Sequence, residues 1–154
     1  MLTIYVLIKV VHVFAAIVAV GTNITYGVWI GRAKRDPASL PFALRGVKFL
    51  DDRVANPCYG LLVLTGFAMA GVSKLPLTTP WILAAIGLVL VVFGVAMFGY
   101  TPTLRRQIEA LDRTGANSSE YLALAGRSTR LGAVLGVLVA AIVILMVVKP
   151  QLWG

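Results

Sequence analysis

The sequence predicts an all-α fold, a four-helix transmembrane bundle formed by a single domain over residues 1–154. Of the 154 residues, 59% are hydrophobic and only 13% are charged, and the mean hydropathy is +0.90. A soluble domain of this composition would expose too much apolar surface. The apolar residues also form four runs, at about residues 2–30, 54–73, 80–100 and 128–148. Each run has roughly the ~20 residues that an α-helix needs to cross a bilayer.

The first run predicts a helix with one polar or small-residue stripe. The stripe consists of Lys9, His12, Ala16, Ala19, Asn23 and Tyr26. This spacing places the six residues on one helical face, which we expect to point into the bundle. His12 is the only histidine of the chain, and it would lie in the outer half of the bilayer with Lys9 one turn further out. Because ionisable groups are costly in hydrocarbon, this pair is a functional-site hypothesis.

The loop after the first run predicts a short interfacial helix. Within residues 39–53, Leu44, Val47 and Leu50 recur at helical spacing, with Phe42 and Phe49 nearby and charged residues between them. This amphipathic pattern is typical of a helix that lies on the surface of a membrane.

The remaining helices are bounded by recognisable start and stop signals. Pro102 is placed to begin a charged continuation of the third helix, and Gly115 is placed to end it. Asn117 and Glu120 have the spacing of a capping box, so the fourth helix is predicted to begin before its apolar run. Pro150 would end that helix.

Basic residues predict that both termini face outward. The loop after the first run contains Arg32, Lys34, Arg35, Arg45, Lys48 and Arg53, and the region after the third contains Arg105, Arg106, Arg113, Arg127 and Arg130. Only Lys74 lies between the second and third runs. Because short basic loops stay in the cytoplasm, an N-out/C-out protein of a bacterial inner (plasma) membrane is predicted. The positive net charge is then explained by this topology and by contact with anionic lipids, and we expect no nucleic-acid partner.

Small residues predict close helix packing. Gly132, Gly136 and Ala140 recur at fourfold spacing in the fourth run, as do Gly66 and Ala70 in the second. Such seams allow close backbone approach within lipid. They serve equally within one chain or in a homo-oligomer, and both alternatives stay open.

The depth of His12 predicts a ligand site. Met69 and Met146 would reach the same outer depth, while Asn23 and Lys9 share the stripe with the histidine. An imidazole with one or two thioethers is a suitable ligand set for haem, with haem b favoured, or for copper. A bis-histidine haem would require a dimer. Alternatively, the methionines fill packing gaps and His12 only forms a hydrogen bond.

The four runs contain no Asp or Glu. Coupled exporters usually rely on a buried carboxylate, so a small-molecule exporter or channel is a weaker hypothesis. One histidine without a membrane carboxylate also cannot build a three-ligand hydrolase site. No catalytic constellation is evident, which favours a protein that is not an enzyme.

Several motifs resemble a known family. They are Ile8–His12, Gly21, Asn56-Pro57, Thr65-Gly66, Pro80-Trp81 and Val147–Pro150. Together they resemble the bacterial four-helix integral membrane family of unknown function numbered 2269. The layout is more distantly similar to HemJ-type protoporphyrinogen oxidases and CopD-type copper membrane proteins. For the HemJ type, the resemblance implies a first-helix histidine that binds haem, which His12 matches. The third run lacks the lysine of that type, and the fourth run lacks its Asn-Glu-x-Pro signature. The resemblance therefore implies haem or porphyrin binding rather than catalysis.

Three functional hypotheses follow from the sequence. The first is a haem- or soft-metal-binding membrane protein with His12 as the ligand. The second is a cofactor-free structural or accessory subunit. The third is a small-molecule channel or exporter.

Overall fold

The structure is a computed structural model that describes residues 2–150, a range in which it is helical and contains no strand. The α-helices in this range are α1 (Leu2–Ala33), α2 (Leu40–Leu50), α3 (Asn56–Ser73), α4 (Pro80–Gly94), α5 (Thr101–Thr114) and α6 (Ser119–Val148). A 3₁₀ turn at Pro37–Ser39 precedes α2. π-Helical turns at Asp51–Ala55 and Val95–Tyr100 join α2 to α3 and α4 to α5. The predicted all-α fold is therefore confirmed.

Four continuous helical segments are long and apolar enough to cross a membrane. They are Thr3–Ala33, Pro37–Ser73, Pro80–Thr114 and Ser119–Val148. The second and third segments extend well beyond their apolar runs, because α2 and α5 continue α3 and α4 through the π-helical turns instead of ending in loops. The number of membrane-length helices thus agrees with the sequence prediction.

The four membrane-length segments form two antiparallel pairs. One pair consists of α1 and α3, and the other of α4 and α6. Within residues 2–150, no Cα atom of α3 comes within 8 Å of a Cα atom of α4 or α6. The two pairs meet where α2 contacts α5 and where α1 contacts α6. We call this the basic end, since it carries the two arginine-rich regions, and we call the end with residues 74–79 the opposite end.

The apolar core lies at the basic end. Its buried residues are Tyr26, Ala33, Leu40, Ala43, Leu44, Val47, Tyr100, Leu104, Ala110, Leu111, Tyr121 and Ala125. Leu44 and Leu104 are completely buried there. Burying leucine is favourable where water is the alternative, whereas lipid gives helices no comparable reason to associate. The core therefore lies at the end of the bundle that carries the arginine-rich regions.

The helix predicted in the first loop is present as α2, but the structure does not confirm its interfacial position. Leu44 and Val47 are buried in the core that α2 shares with α5, so protein covers the apolar face assigned to lipid. Phe42 and Phe49 lie on the exposed side of the helix. Since α2 is continuous with α3, its direction is set by the longer helix.

The start of α6 differs from the predicted capping box. The N-cap is Ser118, whose hydroxyl accepts a hydrogen bond from the backbone N–H of Tyr121. The Glu120 carboxylate accepts from the guanidinium of Arg113 at 2.6 Å instead of closing the box. The prediction of Asn117 as the cap was wrong by one residue, because the adjacent serine offers an equally good acceptor. Gly115 ends α5 with a positive φ of 81°, as predicted.

Candidate functional site

His12 lies between α1 and α3, where it contacts Thr65. Its Nδ1 is 2.8 Å from Thr65 Oγ1. The threonine hydroxyl has one proton, which it donates to the carbonyl of Leu61 at 2.7 Å. Thr65 therefore accepts from His12, and the Nδ1 of the neutral imidazole carries the hydrogen. In this tautomer the lone pair is on Nε2.

Gly66 lies on α3 directly beside the imidazole of His12. A Cβ atom added at Gly66 would lie 3.6 Å from His12 Cε1, at ordinary van der Waals distance. The ring is half-buried, packed against the backbone of α3 with its Nδ1 fixed by Thr65. Thr65-Gly66 is thus the place on α3 that holds His12.

A second polar contact joins the same helices closer to the basic end. The side-chain amide of Asn23 donates from Nδ2 to the hydroxyl of Tyr59 on α3. Ala19, which lies between His12 and Asn23 on the stripe, is completely buried. Tyr26 continues the stripe and is only 6% exposed. The predicted inward-facing stripe is confirmed from His12 to Tyr26, and its partner is α3.

The other residues predicted to join His12 lie at different places. Lys9 is exposed on α1. Met69 is half-buried on α3, one helical turn beyond Thr65 in the direction of the opposite end. Met146 is on α6, in the pair that makes no close approach to α3 within residues 2–150. His12 and Met69 therefore belong to the same helix pair, α1 with α3, whereas Met146 belongs to the other pair, α4 with α6.

A buried carboxylate at the basic end was missed by the sequence analysis. Asp51 begins the π-helical turn between α2 and α3 and is 7% exposed. The hydroxyl of Tyr26 and the side-chain amide of Asn56 lie beside its carboxylate. Asp51 precedes the second apolar run by only three residues. The signal that could have identified it is a tyrosine near the basic end of each of the first three runs.

The π-helical turns also alter the local backbone bonding. The N–H of Asn56 donates to the carbonyl of Asp51, and the N–H of Thr101 donates to that of Ala96. Each bond spans five residues rather than four, so one backbone group per turn loses its regular helical partner. Near the second turn, the hydroxyl of Thr103 donates to the carbonyl of Gly99 at 2.6 Å. π-Bulges of this kind are frequent at functional sites.

Four buried side-chain atoms near the basic end lack a hydrogen-bond partner among the described residues. They are the hydroxyls of Tyr26, Tyr121 and Ser128 and the Oε1 atom of Gln107. Gln107 is only 2% exposed. Unpaired buried polar atoms are unusual, since each carries a desolvation cost, and they call for an explanation.

Metal-ligating side chains do not cluster within the described part of the chain. No group of three or more His, Cys, Asp or Glu side chains could hold one ion between residues 2 and 150. Cys58 is free and half-buried on α3. Any metal or haem at His12 would therefore depend on the imidazole and on ligands of other types.

The four membrane-length apolar helices, with their polar contacts between α1 and α3, define a multi-pass integral membrane protein. A family model described as predicted integral membrane protein (DUF2269) matches residues 6–150. The chain belongs to this family, which confirms the first resemblance drawn from its motifs. No curated protein and no solved structure matches the chain.

Proposed function

We propose that this membrane protein binds haem, or a soft metal ion such as copper, through Nε2 of His12. The observation that carries the proposal is the hydrogen bond between His12 Nδ1 and Thr65. Ligating histidines usually donate their second ring N–H to an oxygen, which fixes the tautomer and the orientation of the ring. For His12, the oxygen that accepts this hydrogen bond is the hydroxyl oxygen of Thr65.

The neighbouring residues are compatible with such a ligand. Met69 follows Thr65 by one turn on α3 and offers a thioether, which is a known partner of histidine at haem iron and a soft ligand for copper. Lys9 lies one turn from His12 on α1. Its positive charge would be a suitable counter-charge for a haem propionate. A bound haem or copper ion would supply one-electron chemistry at this position. The residues of this chain would hold and orient it.

The proposal is tested by the absorbance spectrum and metal content of the protein purified in mild detergent from haem-replete, copper-supplemented cells. A Soret band or stoichiometric copper is expected, and His12→Ala should abolish it. Met69→Leu should shift the spectrum, whereas the matched control Met97→Leu should not, because Met97 is exposed at the second π-helical turn. A colourless, metal-free wild-type protein would refute the proposal.

A second candidate function is favoured by the same hydrogen bond. In a cofactor-free accessory subunit, the contact of His12 with Thr65 and that of Asn23 with Tyr59 would only hold α1 against α3. The absorbance spectrum separates the two functions. The accessory subunit should be colourless, and His12→Ala should lower its stability without changing its spectrum.

We further propose that the basic end faces the cytoplasm of a bacterial cell. The arginine-rich regions and their short loops support this orientation. In a Cys58→Ser background, Ser119→Cys at the basic end should resist a membrane-impermeant maleimide in spheroplasts. Thr78→Cys at the opposite end should react, and both positions are exposed. The reverse pattern of labelling would overturn the orientation.

A further inference from the structure

We propose that the groove between α5 and α6 at the basic end binds the phosphate headgroup of an anionic phospholipid. The groove is a cleft of about 390 Å³ that residues of both helices line, and ligand sites in proteins measure roughly 300–1,000 Å³. His12 lies elsewhere, between α1 and α3. The inference therefore goes beyond the proposed function, and the two sites can be tested independently.

The two helices that form the groove are antiparallel and keep a fixed register. Near the membrane-spanning part, a Cβ atom added at Gly132 of α6 would lie 3.7 Å from the ring of Tyr100, directly before α5. Near the connecting loop, the guanidinium of Arg113 donates to both carboxylate oxygens of Glu120, at 2.6 and 2.7 Å. These two contacts are thirteen residues apart along one strand of the chain and twelve along the other. Positions between them therefore remain level with each other.

This register places two arginines at the same level of the groove. Arg106 precedes Arg113 by seven residues, and Arg127 follows Glu120 by seven. Because seven residues are close to two full helical turns, both arginines share the helical faces that form the ion pair. Arg106 lines the groove, and we expect Arg127 to lie opposite it on α6. Both residues are exposed, so their guanidinium groups are accessible to a ligand.

The charge of the groove favours an anion. Its lining contains two acidic residues, Glu109 and Glu120, and each forms an ion pair with an arginine, at 3.3 and 2.6 Å. Arg106 and Arg127 take part in none of the ion pairs formed within residues 2–150. Two positive charges thus remain uncompensated there. Guanidinium groups bind phosphate oxygens through paired, charge-assisted hydrogen bonds.

The depth and the apolar side of the groove favour a lipid over a soluble anion. Arg106 follows the third apolar run by six residues, or about 9 Å along the helix, and Arg127 directly precedes the fourth run. We expect this level to lie at the headgroups, which long arginine side chains can reach. Ala110, Ala123 and Leu124 form an apolar side of the groove, which would contact the glycerol and the upper acyl chain. Basic pockets between transmembrane helices bind acidic lipid headgroups in this way.

The test uses the full-length protein in dodecyl maltoside, titrated with dioleoyl phosphatidylglycerol or with zwitterionic dioleoyl phosphatidylcholine. Native mass spectrometry counts the lipids bound per chain. One phosphatidylglycerol should bind at concentrations at which phosphatidylcholine does not. Arg106→Gln and Arg127→Gln should each raise its Kd about fivefold, which corresponds to ~1 kcal/mol for one arginine beside an anionic lipid. Arg32→Gln, the matched control that removes the same charge from an exposed position on α1, should change the Kd less than about twofold.

Two further variants keep the proposal open to refutation if a glutamine variant does not fold. Ala123→Leu narrows the groove without changing its charge, and Arg106→Lys keeps the charge but loses the paired hydrogen bonds. Both should weaken phosphatidylglycerol binding severalfold, and unchanged binding in both would overturn the proposal.

Three other results would also overturn it. Equal weakening in Arg32→Gln and Arg106→Gln would show diffuse attraction to the positive net charge of the protein. Equal binding of the two lipids would show that the phosphate charge is not recognised. Displacement of phosphatidylglycerol by an excess of inorganic phosphate, at constant ionic strength, would show that the groove binds a soluble anion.

Discussion

Replacing Leu104 with alanine tests whether the stability of this protein resides at the basic end. Leu104 is completely buried on α5, and Arg105 and Arg106 follow it directly, so we expect it to lie beyond the hydrocarbon. The substitution removes three carbons, or about 2.4 kcal/mol of transfer free energy at ~0.8 kcal/mol each. A residual cavity adds to this, so the expected loss in the free energy of unfolding is roughly 3–4 kcal/mol.

The matched control is Leu64→Ala on α3, where the side chain is 69% exposed on a surface assigned to lipid. Lipid replaces the lost contacts there, so we expect a loss of less than about 0.5 kcal/mol. Both variants can be compared by reversible SDS unfolding in mixed micelles, followed by circular dichroism. Equal losses for Leu64 and Leu104 would refute the reasoning that water-driven burial at the basic end holds the fold together.

Three further predictions concern contacts between helices. A double-mutant cycle of His12→Ala and Thr65→Val should give a coupling energy of about 0.6 kcal/mol, and at most ~1.7 kcal/mol, in the same unfolding assay; zero coupling would contradict the contact. Arg45→Ala should lower the free energy of unfolding by less than about 1 kcal/mol, since its 2.8 Å ion pair with Asp112 is exposed. A larger loss would show that the ion pair is shielded from solvent. Gly66→Ala should be tolerated at 3.6 Å from His12, whereas Gly66→Leu should cost roughly 1–3 kcal/mol by overpacking; equal stability of the two variants would exclude the close approach.

The stripe on α1 could be predicted from the sequence because helical periodicity is a local property. Tyr26 and His12 share a face by their spacing alone, whatever lies opposite. That the opposite helix is α3 could not be predicted, since it depends on where Thr65 and Tyr59 come to lie in the folded chain. The predicted convergence of Met69 and Met146 assumed that all four helices meet at the outer depth. The structure instead has two pairs that meet at the basic end.

The burial of Asp51 could not be predicted because the helix boundary does not coincide with the start of the apolar run. An Asp-Asp-Arg segment directly before an apolar run is read as the end of a loop. In the structure the helix continues through this segment in a π-helical turn, and only one of the two aspartates points inward. Asp51 is buried and Asp52 is exposed. The local sequence contains both carboxylates but not the tertiary contacts that choose between them.

The pairing of the helices determines which ligands His12 can use. Between α1 and α3, the polar contacts of His12 with Thr65 and of Asn23 with Tyr59 replace the hydrophobic driving force that lipid cannot provide. Met69 belongs to this pair, whereas α6 with Met146 makes no close approach to α3 within residues 2–150. A ligand bound within one chain should therefore respond to Met69→Leu and not to Met146→Leu. If Met146→Leu alone changed the spectrum, the two pairs would have to close on the ligand at the opposite end, with the basic end as the hinge.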